Sequence, residues 1–166
     1  SVGSARICDH IFDSVLESIV FASRNLFNAC SECSYSVPQF GHDIFGKTLG
    51  IIGLGNIGAA VARRGFYGFN MNILYHNRRE KLELAQPLNA KYCALSELLQ
   101  QSDFIVVAVD LNAESKALIG QSEFDNMQPH AVFVNIARGS VVDQQALIAT
   151  LKAGKIFAAG LDVYAK

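Results

Sequence analysis

The 166-residue sequence has few charged residues, no basic run and no long apolar run. Charged side chains make up 17% of the chain and the formal net charge is −1, so neither nucleic acid nor an anionic membrane surface is indicated as a partner. The longest apolar runs are far shorter than a membrane span, and no signal peptide is recognisable. Apolar residues make up 51% of the chain, which predicts a folded, well-buried domain rather than a disordered one.

Cysteine is also scarce. The four cysteines are too few and too irregularly spaced for a disulfide framework, which favours a reducing, cytoplasmic location. Two of them form a C-x-x-C sequence, Cys30–Cys33. A single pair cannot close a four-ligand zinc site, so we interpret these residues as free thiols and predict no metal site.

The most informative stretch is KTLGIIGLGNIG, residues 47–58. The apolar run from Thr48 to Ile52 predicts a buried strand, and helix-forming residues follow the glycines. Gly53, Gly55 and Gly58 form G-x-G-x-x-G, in which the first glycine allows a tight turn, the second lets a pyrophosphate approach, and the third lets the helix pack on the strand. The helix N-terminus also favours an anion. We therefore predict a dinucleotide-binding loop.

Strand and helix patterns alternate along the chain after residue 47. This order predicts an α/β fold, a doubly wound parallel sheet of the Rossmann-like dinucleotide-binding type. The predicted strands are Thr48–Ile52, Met71–Tyr75, Lys91–Cys93, Phe104–Val109, Ala131–Asn135 and Ile156–Leu161. The predicted helical segments are Asn56 to about Phe66 (broken by Gly65 and Gly68), Arg79–Ala85, one capped by Ser96, Ser115–Ile119, Ser122–Met127, and Gln144–Ala153 between a cap at Asp143 and Gly154.

We expect two parts in the chain. Residues 1–46 would form a leading helix and a linker, and residues 47–166 the dinucleotide-binding domain. The helix, Ile11–Leu26, carries a broad apolar stripe that could pack on a second domain or on a partner subunit. Because the chain starts at Ser and ends directly after a predicted strand, we expect a fragment of a longer protein whose substrate domain is missing here.

The end of the second strand predicts which dinucleotide binds. Domains that prefer NAD place an acidic residue there to bind the ribose 2′-hydroxyl. Here the segment is Tyr75-His-Asn77-Arg78-Arg79, which has no carboxylate and two guanidinium groups that could grip a 2′-phosphate. We predict that Asn77, Arg78 and Arg79 face the cofactor, with NADP(H) preferred and NAD(H) possible. The alternative is that the two arginines only begin a solvated helix.

Four motifs in order resemble the D-isomer-specific 2-hydroxyacid dehydrogenases: Gly46–Gly58, Ser102–Val106, Val134–Asp143 and Ala158–Tyr164. The segment Gly68–Tyr75, followed by the two arginines, looks most like the NADPH-dependent glyoxylate/hydroxypyruvate and 2-ketoaldonate reductases. The resemblance implies a small 2-keto acid or 2-hydroxy acid as substrate and a homodimer as the assembly.

The resemblance also implies roles for single residues. Arg138 matches the arginine that binds the carboxylate and keto oxygen of the substrate, and we predict it to be the catalytic residue of this chain. Its guanidinium could fork onto a 2-keto acid at the carboxyl end of the fifth strand. Asp162 matches an aspartate near the nicotinamide, although the same residue could serve as an N-cap or in a turn.

Four further positions are implied as cofactor contacts. Asn56 and Ile57 would present their backbone to the pyrophosphate, and Ile136 and Ala137 would line the nicotinamide side. Together with the three glycines, the segment 77–79 and Asp162, they make up the predicted cofactor site.

The sequence also departs from the family pattern. Asp110 stands where a proline is usual, and Ser115 and Ala117 stand where threonine and histidine are common. The acid/base pair of the family is a glutamate and a histidine, and the glutamate is expected directly after Lys166, beyond this chain. The chain alone is therefore expected to bind cofactor and to have negligible turnover.

Two functions remain open from the sequence. In the first, the chain is the cofactor domain of an enzyme that transfers hydride from NADPH to a 2-keto acid and yields a D-2-hydroxy acid. In the second, it is a non-catalytic NAD(P)-sensing module of the kind found in transcriptional corepressors, which look similar in sequence. The fold alone does not separate the two. A third interpretation is a free-standing nucleotide-binding domain with no partner segment.

Overall fold

The computed structural model describes residues 44–163 of the chain. They form one six-stranded sheet in which every neighbouring pair of strands is parallel. The strands are β1 (Thr48–Ile52), β2 (Asn72–His76), β3 (Lys91–Tyr92), β4 (Phe104–Val107), β5 (Val132–Asn135) and β6 (Ala158–Leu161). Their order across the sheet is β3-β2-β1-β4-β5-β6, which confirms the predicted doubly wound α/β fold.

Helices connect the strands. They are α1 (Asn56–Phe69), α2 (Leu82–Ala85), α3 (Leu95–Gln101), α4 (Gln121–Asp125) and α5 (Gln144–Lys152), with 3₁₀ turns at Gln86–Leu88 and Gly139–Val141. None of the helices of residues 44–163 is both long and apolar enough to span a bilayer.

The central strands are buried on both faces. Successive residues of β4 show this, because Val106 belongs to the core under α1, whereas Ile105 and Val107 belong to the core under α3, α4 and α5. Both faces therefore need apolar side chains, which is why the sequence of β4 is an unbroken apolar run rather than an alternating one.

Helix α1 is longer than predicted. It continues through Gly65 and Gly68 to Phe69, so the predicted break near Phe66 is wrong. Gly65 is buried, and a Cβ there would lie 2.8 Å from Leu49 Cδ2 and 3.2 Å from the sulfur of Met71. Glycine at this position lets the helix pack closely on the sheet, and this contact outweighs its low helix propensity.

Three other local predictions need correction. The helix predicted from Arg79 begins only at Leu82, and the chain continues past Pro87 as a 3₁₀ turn, where proline loses no needed donor. Ser96 is not a cap: α3 starts at Leu95 after Ala94, whose side chain cannot accept a hydrogen bond. Of the short helical turns predicted at Ser115–Ile119, the structure has turns at residues 113–117, but Ile119 instead forms an isolated parallel bridge with Val142.

The cap of α5 is as predicted. Asp143 Oδ1 accepts hydrogen bonds from Gln145 N at 2.9 Å and from Ala146 N at 3.2 Å. Gly154, with φ of +64°, follows the helix end. The predicted leading helix, the Cys30–Cys33 pair and residues 164–166 lie outside the described residues, so the division at residue 46 stays a prediction.

Candidate functional site

A cleft of about 810 Å³ opens at the carboxyl edge of the sheet, where the loops after β1, β2 and β4 meet. The strand order reverses at this place, since β1 has β2 on one side and β4 on the other. Ligands of doubly wound sheets bind at such a switch point. The cleft is lined by Ile52, Gly53, Leu54, Gly55, His76, Asn77, Arg78, Arg79, Lys81, Ala108, Val109, Asp110, Asn112, Glu114, Ser115 and Leu118.

The three glycines of the motif have different surroundings. Gly53 has φ of +101°, and a Cβ there would lie 2.7 Å from the carbonyl oxygen of Ala108. A Cβ on Gly58 would lie 2.2 Å from the carbonyl oxygen of Gly53, so both positions exclude a side chain because of the protein itself. At Gly55, by contrast, the nearest described atoms leave open space for 4 Å around a Cβ. Because Gly55 also lines the cleft, this space fits a ligand that approaches the backbone closely.

Helix α1 directs its N-terminus to the same loop. Gly55 is its N-cap, and Ala59 N donates to Gly55 O at 2.8 Å, so the N–H groups of Asn56, Ile57 and Gly58 precede the first intrahelical bond. Such groups, together with the helix dipole, favour an anion. The glycine loop and the helix end therefore fit the pyrophosphate of a dinucleotide.

Asn77 fixes the glycine loop to the end of β2. Its Oδ1 accepts from Leu54 N at 2.6 Å, and its Nδ2 donates to Leu54 O at 3.4 Å. Gly53 N donates to His76 O at 3.0 Å beside it. The side chain of Asn77 thus holds the loop in place, a role that the sequence did not reveal; its direct contact with a cofactor stays a prediction.

Charges of opposite sign face each other across the cleft. Arg78, Arg79 and Lys81 come from the segment after β2, whereas Asp110 and Glu114 come from the loop after β4. Arg78 Nη1 and Glu114 Oε2 are 2.8 Å apart, and their side chains are 74% and 69% exposed. Glu114 was not predicted to belong to the site, although a carboxylate in the loop after the most apolar strand points to this edge of the sheet.

A second group of predicted residues lies at the ends of β5 and β6. Asn135 is 1% exposed and organises it. Its Oδ1 accepts from Ala137 N at 3.0 Å, its Nδ2 donates to Arg138 O at 3.0 Å, and its carbonyl oxygen accepts from Asp162 N at 3.1 Å. The side chains of Arg138 and Asp162 remain exposed at this edge. Asn135 was not predicted to be functional. The sequence feature that could have revealed it is its position as a polar residue at the end of an apolar strand.

Two of the predicted cofactor contacts are largely buried. Ile136 is part of the core under α1, and Ala137 is part of the opposite core. Neither lines the cleft, and any contact from them would come mainly from the backbone. Arg138 Nη1 donates to the carbonyl oxygen of Ala137 at 2.7 Å, so the guanidinium now lies against this turn.

The two histidines within residues 44–163 each have a partner, and His76 also lines the cleft. His76 Nδ1 is 3.0 Å from the carbonyl oxygen of Cys93, and His130 pairs with Asp103 at 2.8 Å beside the start of β4. Burial, with a smaller contribution from Glu97, raises the pKa of the Cys93 thiol, which therefore stays protonated at neutral pH. Within residues 44–163, no three His, Cys, Asp or Glu side chains are grouped to hold a metal ion.

The sheet order, the glycine loop and the cleft at the switch point together define a Rossmann-like dinucleotide-binding domain. Residues 22–166 match the family model described as "D-isomer specific 2-hydroxyacid dehydrogenase, NAD binding domain". The chain belongs to this family.

Named relatives agree with this assignment. A glyoxylate/hydroxypyruvate reductase B from Salmonella newport is 50% identical over 167 residues, covering 96% of this chain and 52% of the relative. The crystal structure of a glyoxylate reductase from Paecilomyes thermophila is 39% identical with a TM-score of 0.79, covering 95% of this chain and 47% of that one. The NAD-complexed D-isomer specific 2-hydroxyacid dehydrogenase of Lactobacillus delbrueckii ssp. bulgaricus is 25% identical with a TM-score of 0.85, covering 98% and 49%. The chain thus spans about half the length of the relatives it matches.

Proposed function

We propose that this chain is the cofactor-binding domain of a reductase that transfers hydride from NADPH to a small 2-keto acid of the glyoxylate, hydroxypyruvate or 2-ketoaldonate class, giving a D-2-hydroxy acid. The observation that carries the proposal is the carboxylate-free end of β2, whose Arg78 and Arg79 line the same cleft as Gly55. The name of the Salmonella relative, which is 50% identical, supports the substrate class.

The preference for NADPH follows from the chemistry of this wall. A guanidinium can donate two parallel hydrogen bonds to a phosphate, whereas a carboxylate at the end of β2 would repel it. NADH remains possible as a second cofactor, because the glycine loop and helix terminus recognise only the pyrophosphate that both dinucleotides share. The Lactobacillus relative, at 25% identity, was solved with NAD.

Arg138 would bind the carboxylate of the keto acid and polarise its carbonyl, and Asp162 would lie beside the reacting ring. The bound cofactor supplies the hydride. The hydrogen bond to the carbonyl oxygen of Ala137 uses one of the five N–H donors of the guanidinium, so others remain for a substrate. The proton for the new hydroxyl would come from the Glu–His pair expected beyond Lys166, so the complete protein is the catalyst.

The other parts of the proposal are a cytoplasmic protein and a homodimer. The non-catalytic, corepressor-type alternative is not favoured, because the named relatives are reductases and dehydrogenases. Turnover of hydroxypyruvate or glyoxylate with NADPH by the complete protein is the measurement that separates the two functions.

Paired titrations test the cofactor preference. We expect NADPH to bind more tightly than NADH, and Arg78→Gln to weaken NADPH binding about tenfold, since a hydrogen bond to a charged group is worth roughly 1.5 kcal/mol. NADH binding should change little. Lys155→Gln is the matched control, because it removes a cation whose partner, Asp125, lies away from the cleft. Equal affinities for the two dinucleotides, unchanged in Arg78→Gln, would contradict the preference.

A further inference from the structure

We infer that Glu114 is a specificity-determining residue, which lowers the preference for a 2′-phosphorylated dinucleotide by pairing with Arg78. The inference rests on the proposed function, because it needs Arg78 to bind the 2′-phosphate. It adds a residue from the opposite wall of the cleft, on the loop after β4, to the specificity that the end of β2 determines.

The position of the ion pair is the first argument. Arg78 and Glu114 are 36 residues apart in the chain, and both line the cleft from different loops. Their 2.8 Å contact joins the two walls beside the end of β2, where the ribose of a dinucleotide binds in this fold. A 2′-phosphate would therefore compete with the carboxylate of Glu114 for the guanidinium of Arg78.

The loop holds Glu114 in this position. Asn112 Oδ1 accepts hydrogen bonds from Glu114 N at 2.9 Å and from Ser115 N at 3.0 Å. Ser115 Oγ donates to the carbonyl oxygen of Asp110 at 2.7 Å, and its own oxygen accepts from Asn112 N at 2.8 Å. These bonds fix the backbone of the loop, so Glu114 starts from a defined position beside the cleft, within reach of Arg78.

The electrostatics give the direction of the effect. Both side chains are largely exposed, so the ion pair is weak and a phosphate can replace the carboxylate. NADPH must displace the carboxylate before Arg78 can bind the 2′-phosphate, and this competition raises the Kd for NADPH. NADH carries a 2′-hydroxyl at this position, and this hydroxyl can donate a hydrogen bond to a carboxylate. Glu114 thus opposes the preference that Arg78 creates.

A double-mutant cycle tests the inference, with Arg78→Gln, Glu114→Gln and the double variant titrated with NADPH and NADH at one ionic strength. We expect Glu114→Gln to lower the Kd for NADPH about two- to fivefold, the range of a weak exposed ion pair that no longer competes for Arg78. The Kd for NADH should rise or change less than twofold, and the gain for NADPH should disappear in the Arg78→Gln background. Asp110→Asn, which removes another carboxylate of the same loop, should give a smaller gain.

Each other outcome has a separate meaning. If Glu114→Gln weakens NADPH binding, the carboxylate positions Arg78 and the inference is wrong. A gain that also appears for NADH, or that persists without Arg78, would indicate general charge repulsion and overturn it too. If Arg78→Gln weakens NADPH binding and Glu114→Gln has no effect, the inference fails and the proposed preference stands. If Arg78→Gln has no effect in either background, both fail. Both side chains are exposed, so the variants should fold, which circular dichroism checks.

Discussion

At the ends of β1, β2 and β4, charged side chains pair in solvent across a cleft, whereas at the ends of β5 and β6 one buried amide organises the backbone. In the first region, the Arg78–Glu114 pair is exposed on both sides. In the second, Asn135 is almost fully buried and its hydrogen bonds reach Ala137, Arg138 and Asp162.

The difference indicates how each region can change. An exposed ion pair contributes little to folding, so charges around the cleft can be exchanged to alter ligand preference at small cost in stability. A buried amide that satisfies backbone groups cannot be exchanged in this way, because its loss leaves those groups without partners. Changes of cofactor preference should therefore leave stability unaffected, whereas changes to the turn that carries Arg138 should also lower stability.

The largest effect is expected for Asn135→Leu, a change of similar size that removes both polar atoms. Ala137 N loses its acceptor in a buried place, and Arg138 O keeps only Val141 N. We expect the free energy of unfolding to fall by about 2–3 kcal/mol, measured by urea denaturation. In the complete protein, turnover should fall further than the loss of folded protein accounts for, because the turn under Arg138 is no longer fixed.

Thr150→Val is the control for this variant. Thr150 is as buried as Asn135 but lies on α5, where its Oγ1 accepts from Gln121. It should lose stability without a change in the turnover of the folded fraction. If both variants lower turnover only in proportion to unfolding, Asn135 has a structural role alone and the contrast between the two regions does not hold.

Most of the fold could be predicted from the sequence. A strand buried on both faces needs an unbroken apolar run, and the run from Phe104 shows this directly. The errors lie where contacts between distant parts of the chain decide the local structure. The length of α1 depends on the packing of Gly65 against Leu49 and Met71, and helix propensity contains no information about that contact.

The site could be predicted only in part. The glycine spacing identified the loop, because each glycine has its own steric reason in the sequence pattern. The partner of Arg78 could not be predicted, since it comes from a loop 36 residues away and depends on the direction of two long side chains. Asn135 and Asn77 were difficult for the same reason: their partners are backbone atoms whose positions only the folded turn determines.

Two glycine substitutions should have smaller effects on stability than Asn135→Leu. One of them should affect mainly stability and the other mainly cofactor binding. Gly58→Ala should lower the free energy of unfolding by about 2 kcal/mol, because the new methyl group meets the backbone oxygen of Gly53. Gly55→Ala should leave stability nearly unchanged, as its methyl group enters open space, but should weaken binding of both dinucleotides at least tenfold. Urea denaturation and paired titrations measure the two effects. Tight cofactor binding by Gly55→Ala would show that the pyrophosphate lies elsewhere.

The smallest effect is expected for Asp143→Ala, at the start of the helix that follows the Arg138 turn. The variant removes the acceptor of Gln145 N and Ala146 N, so stability should fall by about 1 kcal/mol. Asp143→Asn, which keeps an oxygen at this position, should recover most of the loss. The cap lies outside the hydrogen bonds of Asn135, so neither variant should alter turnover or cofactor affinity of the folded protein. A clear fall in turnover with Asp143→Ala would mean that the turn under Arg138 depends on α5 as well as on the buried amide of Asn135.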